Sequence, residues 1–143
     1  GSLAGLLKRE AMPIFQLTES LSVAAQITPQ DIPNLAAQDF TVIVCNRPDG
    51  EVPGQATMEE IEVACNAADV LFVRYPVDAM NFPGPDIEGL GALFDDPGQS
   101  VLAYCRTGTR CANLWVTSQT GDAQAAAMQI ARDIGFDLSL VRA

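Results

Sequence analysis

The sequence predicts a single α/β domain with a largely parallel central sheet flanked by helices, and three observations carry this. Segments of strand and helix periodicity alternate along the chain. Thr41-Val42-Ile43-Val44-Cys45 is an unbroken, mostly β-branched run, the kind buried on both faces of a parallel sheet. Ser100–Tyr104 runs straight into a glycine-containing loop and then a helix, a junction where such sheets hold their ligands.

Taken in order, Phe15–Leu17 and Leu21–Ala25 read as a short opening hairpin. Thr28-Pro29-Gln30-Asp31 is a helix start, with a capping threonine, a proline suited to the first helical position and an acid in the first turn. The Thr41–Cys45 strand ends in the turn signature Asn46-Arg47-Pro48-Asp49-Gly50. Thr57-Met58-Glu59-Glu60 is a capping box opening a helix to about Ala68. Val70–Tyr75 is the next strand, stopped by Pro76, and a Pro- and Gly-rich loop covers Asp78–Pro85. A helix is expected over Asp86–Phe94, then the Ser100–Tyr104 strand. Beyond the loop a helix is expected over Ala112–Gln119. Another begins at a capping Asp122 and runs to about Ile134, where Gly135 stops it.

The chain has 143 residues, enough for one domain with a proper core, and no internal repeat or long linker divides it. Residues 13–143 are expected to form that domain. Residues 1–12 are expected to be a tail or vector-derived segment; Leu3–Leu7 with Lys8-Arg9 reads as a short docking helix or a disordered tail. No apolar run approaches the roughly 18–20 residues that cross a bilayer, and no export signal is visible, so a cytoplasmic location is expected. With 18 acidic against 8 basic residues the net charge is -10, which argues against nucleic acid and anionic membrane surfaces as partners.

Four cysteines, Cys45, Cys65, Cys105 and Cys111, occur without any histidine. Reduced thiols are expected, with Cys45 and Cys65 in the core. The lack of histidine removes Ser-His and Cys-His catalysis and most zinc sites, so a nucleophilic cysteine here needs backbone dipoles and arginine to activate it. Cys105-Arg106-Thr107-Gly108-Thr109-Arg110 supplies them. A strand, a loop turning at Gly108 and a helix N-terminus form a cradle of inward N–H groups. Arg110 can hold an oxyanion in its fork, Arg106 adds charge, and the same field lowers a cysteine pKa to roughly 3.5–7.5. Cys105 is therefore the expected nucleophile, with Arg106, Thr107, Gly108, Thr109 and Cys111 as substrate-binding residues. No metal or organic cofactor is indicated.

These blocks carry a resemblance. Ala25–Pro29, Asn46-Arg47-Pro48-Asp49-Gly50-Glu51, Pro53-Gly54-Gln55 and Leu102–Arg110 resemble the phosphatase-like domain of the beta-lactamase hydrolase-like family, also described as candidate sulfur transferases. The resemblance spans roughly residues 13–120. It implies a protein-tyrosine/dual-specificity-phosphatase-like α/β fold and work beside a persulfide dioxygenase or sulfide-oxidising enzyme. Cys111 departs from the family's loop, where a serine follows the last arginine.

Two chemistries compete. Four residues separate Cys105 from Arg110, one fewer than in protein tyrosine phosphatases, and the Cys-Arg-x-Gly-x-Arg wording is similar to that of rhodanese-like sulfurtransferases. The first expectation is sulfur transfer from thiosulfate or glutathione persulfide through a Cys105 persulfide. The alternative is phosphate monoester hydrolysis through a Cys105 phosphocysteine, with Asp78 as general acid and Asp86 as its substitute. A thiol redox sensor or docking module is a further alternative. Asp78 also reads as a turn or cap aspartate, and Asp49 as a brace for the loop or Arg47. Cys111 reads either as a resolving or sulfur-accepting thiol or as a stand-in for serine that hydrogen-bonds the thiolate. Trp115 reads as core packing.

Overall fold

The computed structural model describes residues 13–143; the helix or tail expected at Leu3–Leu7 lies outside the described residues. Five strands form one sheet in the order β1-β2-β5-β3-β4: β1 Ile14–Gln16, β2 Leu21–Ala24, β3 Val42–Cys45, β4 Leu71–Arg74 and β5 Val101–Tyr104. Only β1 and β2, the expected hairpin, pair antiparallel; β2–β5, β5–β3 and β3–β4 are parallel.

A 3-10 turn at Pro29–Asp31 leads into α1, Ile32–Ala37. The remaining helices are α2 Met58–Ala67, α3 Ile87–Phe94, α4 Thr109–Ser118 and α5 Gly121–Ile134. Both bonds of the expected capping box are made at α2: Thr57 Oγ1 accepts from the Glu60 N–H at 3.1 Å and Glu60 Oε1 from the Thr57 N–H at 3.1 Å. Asp86 caps α3 by accepting from the Gly89 N–H at 3.0 Å.

Two helix starts differ from expectation. Gly108, at φ +91°, is the residue before α4, so the helix opens at Thr109 and its first turn contains Arg110 and Cys111. Helix α5 opens at Gly121 behind Thr120, which leaves Asp122 inside the first turn, where its charge suits the helix dipole without acting as the cap.

Strand periodicity of two splits the core between the faces of the sheet. Val42, Val44, Val101, Ala103 and Cys105 face α3, α4 and α5 together with Phe94, Leu114 and Trp115. Ile43, Cys45, Leu102 and Tyr104 face α1 and α2 with Leu35, Ile61 and Cys65. Both faces of β3 and β5 are buried, as their apolar runs require. Gly91 lets α3 close on α4, since a β-carbon there would meet Ser118 Cβ at 2.7 Å. Cys45, Cys65 and Trp115 are core residues, as the sequence indicated.

Candidate active site

The site lies at the carboxyl ends of four strands, which backbone hydrogen bonds carry onward into the loops. After β2, Ala24 O accepts from the Cys105 N–H at 3.3 Å, and the Gln26 N–H donates to Arg106 O at 3.5 Å. After β3, the Asn46 N–H donates to Tyr104 O at 2.8 Å and Asn46 O accepts from the Val77 N–H at 3.1 Å. The loops bearing Gln26, Asn46–Glu51, Val77-Asp78 and Cys105–Arg110 are thus stitched together around one point.

That point is the Cys105 sulfur. Cys105 is 1% exposed, and its Sγ accepts from the Gly108 N–H at 3.1 Å. Its thiol is lowered from an ordinary 9.0 to about 6, first by a hydrogen bond from the Cys111 thiol. Burial opposes the shift, and the backbone N–H groups of Cys111, Thr107 and Gly108 add to the lowering. Cys111, fully buried in the first turn of α4, is driven the other way: burial and the neighbouring Cys105 charge push its thiol up. The pair therefore has fixed roles, with Cys105 as the thiolate and Cys111 as the proton-bearing donor.

Arg110 is oriented by two acceptors. Its Nη1 donates to Glu51 Oε2 at 3.0 Å and to Val77 O at 2.8 Å, and its Nη2 donates to Glu51 Oε1 at 3.1 Å. A guanidinium has five N–H donors, and these bonds use both on Nη1 and one on Nη2. Among the described residues nothing takes the remaining Nη2–H or the Nε–H, which lie side by side on one edge. That edge is a ready bidentate fork for an oxyanion. Burial works against the charge on Arg110, but Glu51 and the Cys105 thiolate raise its pKa above the ordinary value.

Glu51 is a site residue that the sequence pattern does not mark. It also accepts from Arg47 Nε at 2.8 Å through Oε1, so one carboxylate holds two arginines. Hydrogen bonds from Arg110 first, and from Arg47, hold the Glu51 carboxyl below its usual range. Arg47 is 3% exposed and also donates to Gln26 Oε1 at 3.1 Å through Nη1.

The other expected site residues divide. Thr107 and Thr109 are joined hydroxyl to hydroxyl at 3.0 Å on the outer side of the loop, and Gly108 supplies the turn and an N–H. Arg106 is exposed, and its side chain has no hydrogen-bond or ion-pair partner among the described residues. It stands outside the clamp the sequence suggested, because a loop that turns its N–H groups inward turns this side chain out. Asp78 follows the carbonyl that Arg110 holds, which brings it to the rim. Its Oδ1 accepts from the Met80 and Asn81 N–H groups at 2.8 and 3.1 Å, the bonds of a turn aspartate. Asp49 braces α2 by accepting from the Met58 N–H at 2.9 Å, while the brace on Arg47 is Glu51. Tyr104 packs on the opposite face of the sheet, against Cys45 and Cys65.

Known proteins share this fold. The profile of the beta-lactamase hydrolase-like protein, phosphatase-like domain, matches residues 14–122. The chain belongs to this family. A beta-lactamase hydrolase-like protein of Agrobacterium fabrum is 32% identical over 130 residues, covering 89% of this chain and 30% of the relative. One from Xylella fastidiosa is 28% identical over 111 residues, covering 78% and 26%. The chain thus spans less than a third of the curated relatives it matches. The crystal structure of a candidate phosphatase from Neisseria meningitidis is similar, with TM-score 0.71 and 32% identity over 88% of this chain and 91% of that one. Tk-PTP, at 18% identity and TM-score 0.64 over 88% and 87%, shares the fold. In this phosphatase-like domain the protein-tyrosine-phosphatase-like α/β architecture expected from the resemblance is present, and the comparisons support a hydrolase. They back phosphate chemistry, the alternative reading, better than sulfur transfer. Among the described residues no helix is long and apolar enough to cross a membrane.

Proposed function

We propose that the domain hydrolyses phosphate monoesters through a covalent Cys105 phosphocysteine. The observation that carries this reading is the Cys105 thiolate, with its pKa lowered to about 6, beside an Arg110 whose Nε/Nη2 edge has no partner among the described residues. Two phosphoryl oxygens take that edge, and the cradle N–H groups take the third as charge builds on it. Cys105 Sγ attacks phosphorus in line; the S–P bond forms as the bond to the ester oxygen breaks. The leaving oxygen takes a proton from the Asp78 carboxyl, and the same carboxylate then accepts a proton from the water that attacks the phosphocysteine. Inorganic phosphate leaves and the thiolate is restored. Asp78 is favoured over Asp86 because Arg110 holds the carbonyl just before it.

Sulfur transfer is the second reading, favoured by the four residues between Cys105 and Arg110 and by the turn bonds that occupy one Asp78 oxygen. It needs no general acid, since sulfite or a thiolate leaves unprotonated. One paired assay separates the two: turnover of p-nitrophenyl phosphate, and mass spectrometry of the Cys105 peptide after exposure to thiosulfate. Hydrolysis that vanishes in Cys105→Ser, with no sulfur adduct, is the expected result. A cyanide-labile sulfur on Cys105 without phosphate turnover overturns the proposal in favour of sulfur transfer.

A further inference from the structure

Arg47 has a role that the phosphate chemistry does not use. Its side chain is 97% buried by its 3% exposure, and a charge taken that far from water requires partners. Two of its five donors are satisfied: Nε by Glu51 Oε1 at 2.8 Å and one on Nη1 by Gln26 Oε1 at 3.1 Å. Among the described residues both donors on Nη2 and the second on Nη1 have no acceptor.

Arg47 lines a pocket of about 370 Å³ walled by Gln26, Thr28, Gln30, Pro53 and Gln55. Of the acceptors in that wall, Gln55 Oε1 is engaged by the Glu51 N–H and Gln26 Oε1 by Arg47 itself. Glu60, the one acid in the lining, is tied to Thr57 N and Oγ1 in the capping box. Arg47 is thus a cation facing a pocket in which no described residue accepts from its spare donors.

The pocket adjoins the cradle. Gln26, in its wall, bonds through its backbone to Arg106 of the cysteine loop. Glu51 Oε1 accepts from Arg47 Nε at 2.8 Å and from Arg110 Nη2 at 3.1 Å, so these two nitrogens lie within about 6 Å of each other.

We infer that this pocket is a second anion subsite, and that the substrate is a phosphate monoester carrying a second acidic group on a short linker. The phosphate sits on Arg110 and the cradle while the second group takes the free donors of Arg47. This deepens the phosphatase reading and rests on it.

Binding to the intact domain tests it by calorimetry with methylphosphonate, phosphonoacetate and phosphonopropionate, which share a phosphonate and differ in the carboxylate. A charge-assisted hydrogen bond predicts that one carboxylate-bearing ligand binds about 10-fold tighter than methylphosphonate. Arg47→Gln should bring that ratio to about one while methylphosphonate still binds. Gln30→Glu, an exposed change at the pocket wall, should reduce the ratio through like-charge repulsion, and it decides the matter alone if Arg47→Gln does not fold. Equal binding of all three ligands, or a preference that the folded variants leave unchanged, overturns the subsite and leaves the phosphatase reading standing. Failure of all three to bind overturns both.

Discussion

Glu51 grips Arg110 by the end of its guanidinium, at 3.0 and 3.1 Å, and so leaves the side of the same group open toward an incoming anion. It acts as a positioning residue rather than as a plug, because a carboxylate on the outer fork fixes the plane in which the inner fork lies. Since it also neutralises the buried Arg47, its loss strains two places at once. Glu51→Gln should cost roughly 2 kcal/mol, between the limits for surface and buried pairs, because Glu51 is partly exposed and Arg47 is not. Urea unfolding reads this. Phosphate affinity should fall as well, and Glu51→Asp should recover part of it. Wild-type stability in Glu51→Gln would mean that solvent already screens the clamp.

The thiol pair sets a pH dependence. A hydrogen bond from Cys111 favours the charged form of Cys105, so removing it must raise the Cys105 pKa. Titration of thiolate ultraviolet absorbance, as the difference from Cys105→Ser, should show a midpoint near 6 in the native domain. The midpoint should move up in Cys111→Ala and stay low in Cys111→Ser. The rising limb of kcat/KM against pH should follow the same midpoint. A midpoint unmoved by Cys111→Ala would assign the depression to the backbone N–H groups alone.

Gly108 joins the backbone to that same thiolate. A methyl group there would make only ordinary contacts, 3.5 Å to Phe136 and 3.6 Å to Ala24, so space is not the obstacle. The φ of +91° is, and an L-residue held in left-handed geometry costs about 1–2 kcal/mol. Gly108→Ala should therefore lose about that much stability in denaturant unfolding. If the loop relaxes to relieve the strain, the N–H at 3.1 Å from Cys105 Sγ moves and the thiol pKa rises with it. An unchanged stability and thiol pKa would show that the turn tolerates a β-carbon.

The two arginines of the loop should separate cleanly. Arg110 has three hydrogen bonds that aim it, whereas the exposed Arg106 has none from its side chain among the described residues. Arg110→Lys should reduce kcat/KM by about 10²-fold or more, since one ammonium cannot reproduce a bidentate fork. Arg106→Ala should change it by less than about 3-fold at physiological salt, where an exposed charge is screened. A large loss in Arg106→Ala would place that side chain on the substrate after all.

What the sequence revealed, and what it hid, follows the range of the interactions. The Thr57 capping box, the Asp86 cap and the Thr41–Cys45 run are local patterns and were legible as they stood. The cysteine loop was legible because a thiol, a glycine and an arginine at that spacing have few other reasons to follow a strand. The early start of α4 was hidden by Gly108, which ends the loop sooner than its glycine-centred appearance suggests. The exposure of Arg106 was hidden because adjacency in sequence does not tell which way a loop turns a side chain. Glu51 had no visible role because the arginine it orients lies 59 residues further along the chain.

Asp78 carries the most demanding test of the phosphatase reading. One of its oxygens is held by two backbone N–H groups of its own turn, which anchors the carboxyl and leaves the second oxygen outside those bonds. General acid catalysis contributes about 10²–10⁴-fold, and more where the leaving group is poor. Asp78→Asn keeps the turn acceptor and removes the proton donor. It should therefore lower kcat strongly for an alkyl phosphate and much less for p-nitrophenyl phosphate, whose phenolate leaves without help. A loss equal for both substrates would mean that Asp78 serves the loop rather than the reaction. In that case Asp86→Asn becomes the variant to measure, with the stability of α3 followed alongside, since its carboxylate also caps that helix.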